Sequence, residues 1–244
     1  MNWRSHLLYW IAPTLVMACL VAMYFSNVDW LMSLLAPQFN RELGLLENLQ
    51  NVLLAAIIGI IGWRMLNSSF PMERKFFALI LAGSIFMLLE EIDYGTHYWW
   101  LLSGWDISQQ PKFSLHNIDN DRYLDVFKIG GDIVMALWFV IFAWAGTRSR
   151  NVWIEFLRPS RMFTLALIAA IVVSDTAHYL EETAPPKPNY LTTSIGEFRE
   201  LFTYYIWLLY LGILALHRTW PQAQQARTCS SSGISPDAEG SGAQ

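Results

Sequence analysis

FFALILAGSIFMLLEEIDYGTH, residues 76–97, sets fourteen apolar or small residues directly against Glu90, Glu91 and Asp93, with His97 close behind. A helix at the surface of a soluble protein carries a polar face, and residues 76–89 have none. A membrane span needs about 20 largely apolar residues, because each adds about 1.5 Å across a hydrocarbon core of about 30 Å. Residues 76–94 reach that length only if the span ends in carboxylates. The stretch therefore predicts a membrane helix that carries ionisable groups into one edge of the bilayer.

Five more segments pass the same test: 7–25, 49–66, 126–146, 162–180 and 198–217. The chain reads as an all-α integral membrane bundle of about six transmembrane helices, a single domain over residues 1–220. A Ser-, Gly-, Ala- and Gln-rich cytoplasmic tail, 221–244, is expected to be disordered. The composition agrees: 54% of residues are hydrophobic and 15% charged, where a soluble domain is nearer one quarter charged. The net charge of −4 gives no reason to expect nucleic acid as a partner; the lipid bilayer is the expected one. Cys19 lies in the first apolar block and Cys229 in the tail, so no disulfide framework is expected. Val16-Met17-Ala18-Cys19 resembles a lipoprotein cleavage box, but apolar residues continue past Cys19, and the segment is read as a retained span.

Basic residues orient the spans. With the N-terminus inside, ten of the sixteen Lys and Arg lie on the cytoplasmic side: Arg4, Arg64, Arg74, Lys75, Arg148, Arg150, Arg158, Arg161, Arg218 and Arg227. Short loops rich in Lys and Arg stay in the cytoplasm, which places both termini there. Trp99, Trp100 and Trp105 then suit the outer interface, and Trp153 the inner one. Sixteen of the twenty Asp and Glu fall on the opposite, outer side.

Depth narrows that asymmetry. Counted from the cytoplasmic end of each span, Glu90 and Asp132 lie about 21 Å up, Asp175 about 20 Å, Asn51 about 18 Å and Glu200 about 26 Å. Carboxylates at such depth are costly unless they face the bundle interior and find partners. One polar cavity open to the outside is the economical expectation. Spacing supports it. In the third span Glu90, Asp93 or Tyr94, and His97 follow a three-to-four-residue spacing, so Glu90 and His97 share a helical face. Asp175, His178 and Glu182 share one in the fifth span, and Glu200 and Tyr204 in the sixth, with Glu197 a turn earlier. Bundle metal sites pair Glu with Glu-x-x-His on facing helices, and Asp175-x-x-His178 has that spacing. The expected acid–base groups are Glu90, Glu91 and Asp175. The expected metal ligands are His97, His116, His178 and Glu200, holding zinc or a pair of irons, with Asn117, Asp132, Glu182 and Tyr204 in support. Simpler accounts exist for some: Asp132 follows Lys128 by four, an ion-pair spacing, and Glu197 follows Ser194 by three, a capping box.

Glu90-Glu91-Ile92-Asp93-Tyr94-Gly95, followed by Leu115-His116-Asn117, resembles a signature of uncharacterised bacterial polytopic membrane proteins. Those carry Glu-Glu-aliphatic-Ser-Trp-Gly and then Asn-Leu-His-Asn. Here Asp93 and Tyr94 replace the Ser and Trp, and Ser114 the first Asn. The resemblance covers residues 88–118 and implies a shared site including Glu90, Glu91, His116 and Asn117, with no reaction attached. It also fits a bacterial inner membrane.

Three functions match these features. The first is a metal-dependent hydrolase or group transferase acting on a lipid or lipid-linked substrate from the non-cytoplasmic side. The second is a proton- or ion-coupled transporter, for which the inner halves of the spans offer few polar groups. The third is a non-catalytic membrane subunit or assembly factor. No Gly-rich phosphate loop, nucleophile elbow or H-E-x-x-H motif is present. Spacing alone leaves oligomerisation open.

Overall fold

The computed structural model describes residues 3–35, 37, 43–104, 121–145, 151–183 and 196–221, and among these it is helical with no strand. In chain order, α1 is Trp3–Tyr24 and α2 Asp29–Leu35. α3 is Leu45–Asn67, α4 Pro71–Glu91 and α5 Thr96–Ser103. α6 runs over 121–145, α7 is Val152–Leu157, α8 Met162–Thr183 and α9 Gly196–Leu216. Each of the six expected segments lies mainly within a helix among the described residues.

Among the described residues four helices are long and apolar enough to cross a membrane: α1, α3, α8 with α7 leading into it, and α9. α4 falls short for a visible reason: it opens on Glu73, Arg74 and Lys75 and closes on Glu90 and Glu91. The described side chains of α6 form a shorter apolar helix, Ile129–Ala145. The outward surface is apolar across several helices: α4 exposes Leu79, Phe86 and Met87, α6 Ile133 and Ile141, and α8 Ile168 and Val172. Exposed apolar area on that scale suits lipid rather than water.

α3 packs between α4 and α9, and α9 in turn packs on α8. The buried stripe of α3 is Leu46, Glu47, Gln50, Leu54, Ile57 and Ile61, at three- and four-residue spacing. Its polar members lie at one end. At the other end Arg64 Nε donates to Glu73 Oε1 at 2.8 Å and Ser68 Oγ to Glu73 Oε2 at 2.7 Å. This pair ties α3 to α4 across the turn. α8 packs through small residues, Ala166, Ala170, Ser174 and Ala177, which permit close helix approach.

Two segments are π-helical: Leu7–Ile11 in α1 and Leu137–Phe142 in α6. The wider turn displaces the regular hydrogen-bond ladder and leaves carbonyls in need of donors, and lipid offers none. Neighbouring helices supply them. Tyr205 Oη of α9 donates to Leu8 O at 2.6 Å, and Thr164 Oγ1 of α8 to Phe139 O at 2.7 Å. Phe163 lies between the two segments, its ring 4.9 Å from Tyr9 and 5.3 Å from Phe139.

α4 does not continue to His97. The chain leaves the helix after Glu91, and Asp93, Tyr94 and Gly95 all take positive φ, 45°, 54° and 83°. Gly adopts that region freely and Asp can hold it through local bonds. Thr96 Oγ1 supplies one, donating to both Asp93 O and Oδ2 at 2.9 Å. Glu90 and His97 therefore sit on different helices, and the shared face expected from spacing does not exist.

Tyr205→Phe should lower the free energy of unfolding in mild detergent by about 1 kcal/mol, the worth of one hydrogen bond, and Thr164→Val by about 2 kcal/mol, because Thr164 Oγ1 also accepts from Trp144 Nε1. Denaturant titration of the purified protein checks this, and wild-type stability in both variants would show that the π carbonyls are satisfied in another way.

Candidate functional site

The polar ends of α3, α4 and α9 meet. Gln50 and Asp93 have no accessible surface, and Glu47, Glu90 and Glu197 are buried. Side chains this polar are buried only where hydrogen bonds replace water. From α3, Gln50 Nε2 donates to Glu197 Oε2 at 3.0 Å and to Glu197 O at 3.2 Å. From α9, Tyr204 Oη donates to Glu91 Oε1 of α4. Within the left-handed turn, Tyr94 Oη reaches back to Glu90 Oε1 at 2.6 Å. Asn51 Nδ2 makes a long contact of 3.5 Å with Tyr98 Oη of α5.

Tyr204 is the centre of the charge distribution. The carboxylates of Glu91, Glu200 and Glu197 all act on its phenol electrostatically. The phenol donates to one of them and brings the other two within its field, so α4 and α9 are coupled through one hydroxyl. Two acceptors complete the picture: Gln50 Oε1 and Asn51 Oδ1 are buried with no hydrogen-bond donor among the described residues. A buried acceptor calls for a donor such as water, a protonated carboxyl or a bound ligand. The cluster thus combines carboxylates, phenols and amide oxygens, a set suited to proton exchange and to hard cations.

The residues expected at a common site divide. Glu91, Glu200 and Tyr204 come together, and Glu90, next to Glu91 in the chain, is held by Tyr94. His97 lies on α5 with its side chain outside the described part, and His116 and Asn117 lie outside the described residues. Asp175, His178 and Glu182 do not join the cluster. They stand on the exposed side of α8, opposite its small-residue face. Their spacing did put them on one face, but the face that packs is the one that allows close approach. Asp132 is exposed and pairs with Arg199 Nη1 at 3.3 Å, across helices. The Lys128 side chain, its expected local partner, is outside the described part. Among the described residues, no three His, Cys, Asp or Glu side chains are grouped as a metal site.

Sequence reasoning passed over Glu47 and Gln50 and assigned Glu197 to a cap. The signal was available in the stripe Glu47, Gln50, Leu54, Ile57, Ile61, where a helix carries its polar residues on the same face as its apolar core. No protein-family model matches the chain, nor does any curated protein or solved structure.

A double-mutant cycle of Glu91→Ala and Tyr204→Phe should give a coupling energy of about 1–2 kcal/mol in unfolding, as expected for contacting groups in one network. In the same assay Asp175→Asn and His178→Ala should each stay within about 0.5 kcal/mol of wild type, the range of surface positions. An uncoupled cycle, or a large loss at Asp175, would contradict this placement.

Proposed function

We propose that the protein is a multi-pass membrane enzyme of about six spans, with both termini cytoplasmic. In this reading it hydrolyses or transfers a group of a lipid or lipid-linked substrate, reached from the non-cytoplasmic side of a bacterial inner membrane. The observation that carries the reading is the contact of Glu91 with Tyr204, on whose phenol Glu200 and Glu197 also act. Intramembrane carboxylates gathered in a bundle interior are a functional signature, because a purely structural core would be cheaper without them.

The apolar layer below the cluster supports a one-sided site over a transport path. Gln50 and Arg64 are fourteen residues apart on α3, about 21 Å by helix rise. Between them the buried residues of α3 are Leu54, Ile57 and Ile61. On the facing part of α9 they include Ile206, Tyr210 and Leu214. A proton or ion leaving the cluster inward has no continuous polar route there.

Glu91, oriented by Tyr204, is the general base of this reading, and Glu90, held by Tyr94, its acid partner. The zinc or paired irons expected from the sequence would need ligands beyond Glu90, Glu91 and Glu200, which are not grouped as a metal site among the described residues. The cross-helix bonds of Glu91 and Glu197 also favour a second reading, a non-catalytic subunit in which the network fixes helix register.

Glu91→Gln separates the two readings, since Gln keeps an acceptor for Tyr204 and loses the carboxylate. Membranes expressing the wild type should differ from membranes expressing Glu91→Gln in at least one lipid species by mass spectrometry, at equal protein level and unfolding stability. Identical lipid profiles would leave the subunit reading standing and remove the enzyme. Topology is checked independently: a reporter fused after Gln109 should be active on the non-cytoplasmic side, and a cytoplasmic signal would reverse the orientation.

A further inference from the structure

At the opposite end of the bundle from the carboxylates, where α8 begins and α9 ends, two clefts adjoin. The larger, of about 420 Å³, is lined by Ala143 and by Arg158, Pro159, Ser160, Arg161, Met162 and Arg218. The smaller, of about 320 Å³, shares Arg158 and Arg218 and adds Glu155 and His217 to its wall. The larger cleft thus gathers three guanidinium groups from segments some 60 residues apart in sequence. Among the described residues, none of those lining it is a carboxylate.

Two of the three arginines have distinct tasks. Arg218 is a clamp: Nη1 donates to Glu155 O at 3.1 Å and to Phe156 O, and Nη2 to Arg158 O at 2.6 Å. It caps the carbonyl end of α7, where a cation is favoured, and so fixes a positive charge in the cleft wall. Burial, reinforced by the nearby charge of Arg158, holds its pKa below the usual guanidinium value. Arg161 is set differently. Its guanidinium lies over the Trp144 ring, 4.4 Å from the centroid. Stacking uses the face of the cation and leaves its in-plane N–H fork for an anion. A fork matches two oxygens of a phosphate better than a point charge does.

What distinguishes a lipid phosphate from a free one is the surface next to the cleft. Leu165, Ile168 and Val172 follow Arg161 at three- and four-residue spacing and are exposed. They form an apolar track running from the cationic cleft along α8 toward the middle of the membrane. Trp144, also exposed, stands beside the head of that track, as aromatic residues do at a bilayer interface.

We infer that the cleft between residues 158–162, Ala143 and Arg218 binds the phosphate group of an anionic phospholipid, with Arg161 as the forked ligand and Leu165, Ile168 and Val172 along the acyl chain. Basic pockets between helices on the cytoplasmic side of membrane proteins hold such head groups. The inference rests on the membrane reading of the chain and is independent of what the carboxylate cluster does.

The test uses the full chain in neutral detergent, titrated with phosphatidylglycerol or phosphatidylcholine and followed by thermal unfolding. A ligand that binds only the folded state raises its stability by mass action. Phosphatidylglycerol should stabilise the protein and phosphatidylcholine should not. Arg161→Gln should weaken the apparent affinity for phosphatidylglycerol about tenfold, the worth of a charge-assisted hydrogen bond, and Arg161→Lys by less. Lys75→Gln, which removes a charge from the same end of the bundle outside the cleft, should leave it unchanged. Equal responses to both lipids would overturn the proposal, as would equal losses in Arg161→Gln and Lys75→Gln. A full stabilisation by inorganic phosphate alone would assign the cleft to a soluble anion instead. Recovery of the protein from membranes without detergent would overturn the membrane reading itself and not only the cleft.

Discussion

A polar atom inside a lipid-embedded bundle has no water to fall back on, so each hydrogen bond that a helix leaves open must be closed by another part of the protein. Much of the packing follows from that requirement. The π turns of α1 and α6 present carbonyls, and Tyr205 and Thr164 answer them from α9 and α8. Glu73, buried at one end of α4, is met by Arg64 and Ser68. Glu91 and Glu197, at the other end, are met by Tyr204 and Gln50. Hydrophobic attraction between helices is weak where lipid tails are as apolar as leucine. These cross-helix bonds therefore carry a larger share of specificity than they would in a soluble core.

The bonds are sorted by depth. α3 holds an amide and a carboxylate at one end, an ion-pairing arginine at the other, and aliphatic residues between. Its neighbours repeat the arrangement: α4 has charges at both ends and a long apolar middle, and α9 passes from Glu197 and Tyr204 to Leu214 and Ala215. Two polar layers of opposite character result. One is rich in carboxylates and phenols, the other in guanidinium groups. The separation puts the carboxylates and the guanidinium groups at opposite ends of the same helices.

Helix positions were legible in the sequence because apolar length is a one-dimensional property. Residues 49–66, 162–180 and 198–217 all lie inside observed helices but for the last residue of the third. The site was legible only in part. Glu90 and Glu91 stood out because they terminate an apolar run, and Tyr204 because it follows Glu200 by one turn. Asp175 and His178 looked equally persuasive, since spacing tells which residues share a face but not which face is turned inward. The small residues Ala166, Ala170, Ser174 and Ala177 carried that information. The break at Asp93–Gly95 was hidden for another reason. Only Gly95 in that triplet advertises a left-handed turn, and Asp93 and Tyr94 take the same conformation without a composition signal.

The π segment at Leu137–Phe142 has a consequence for helical phase. A π turn accommodates about one residue more than an α turn, and one residue corresponds to about 100° of rotation about the axis. The part of α6 before Leu137 is therefore rotated relative to the part after Phe142, compared with an uninterrupted helix. Asp132 lies on the first part and Trp144 on the second. Asp132 faces Arg199 on α9, while Trp144 gives its indole N–H to Thr164 on α8. Twelve residues apart, Asp132 and Trp144 would stand about 120° apart on a regular helix; the extra residue brings them to within about 20° of one another, so that one face of α6 reaches both α9 and α8.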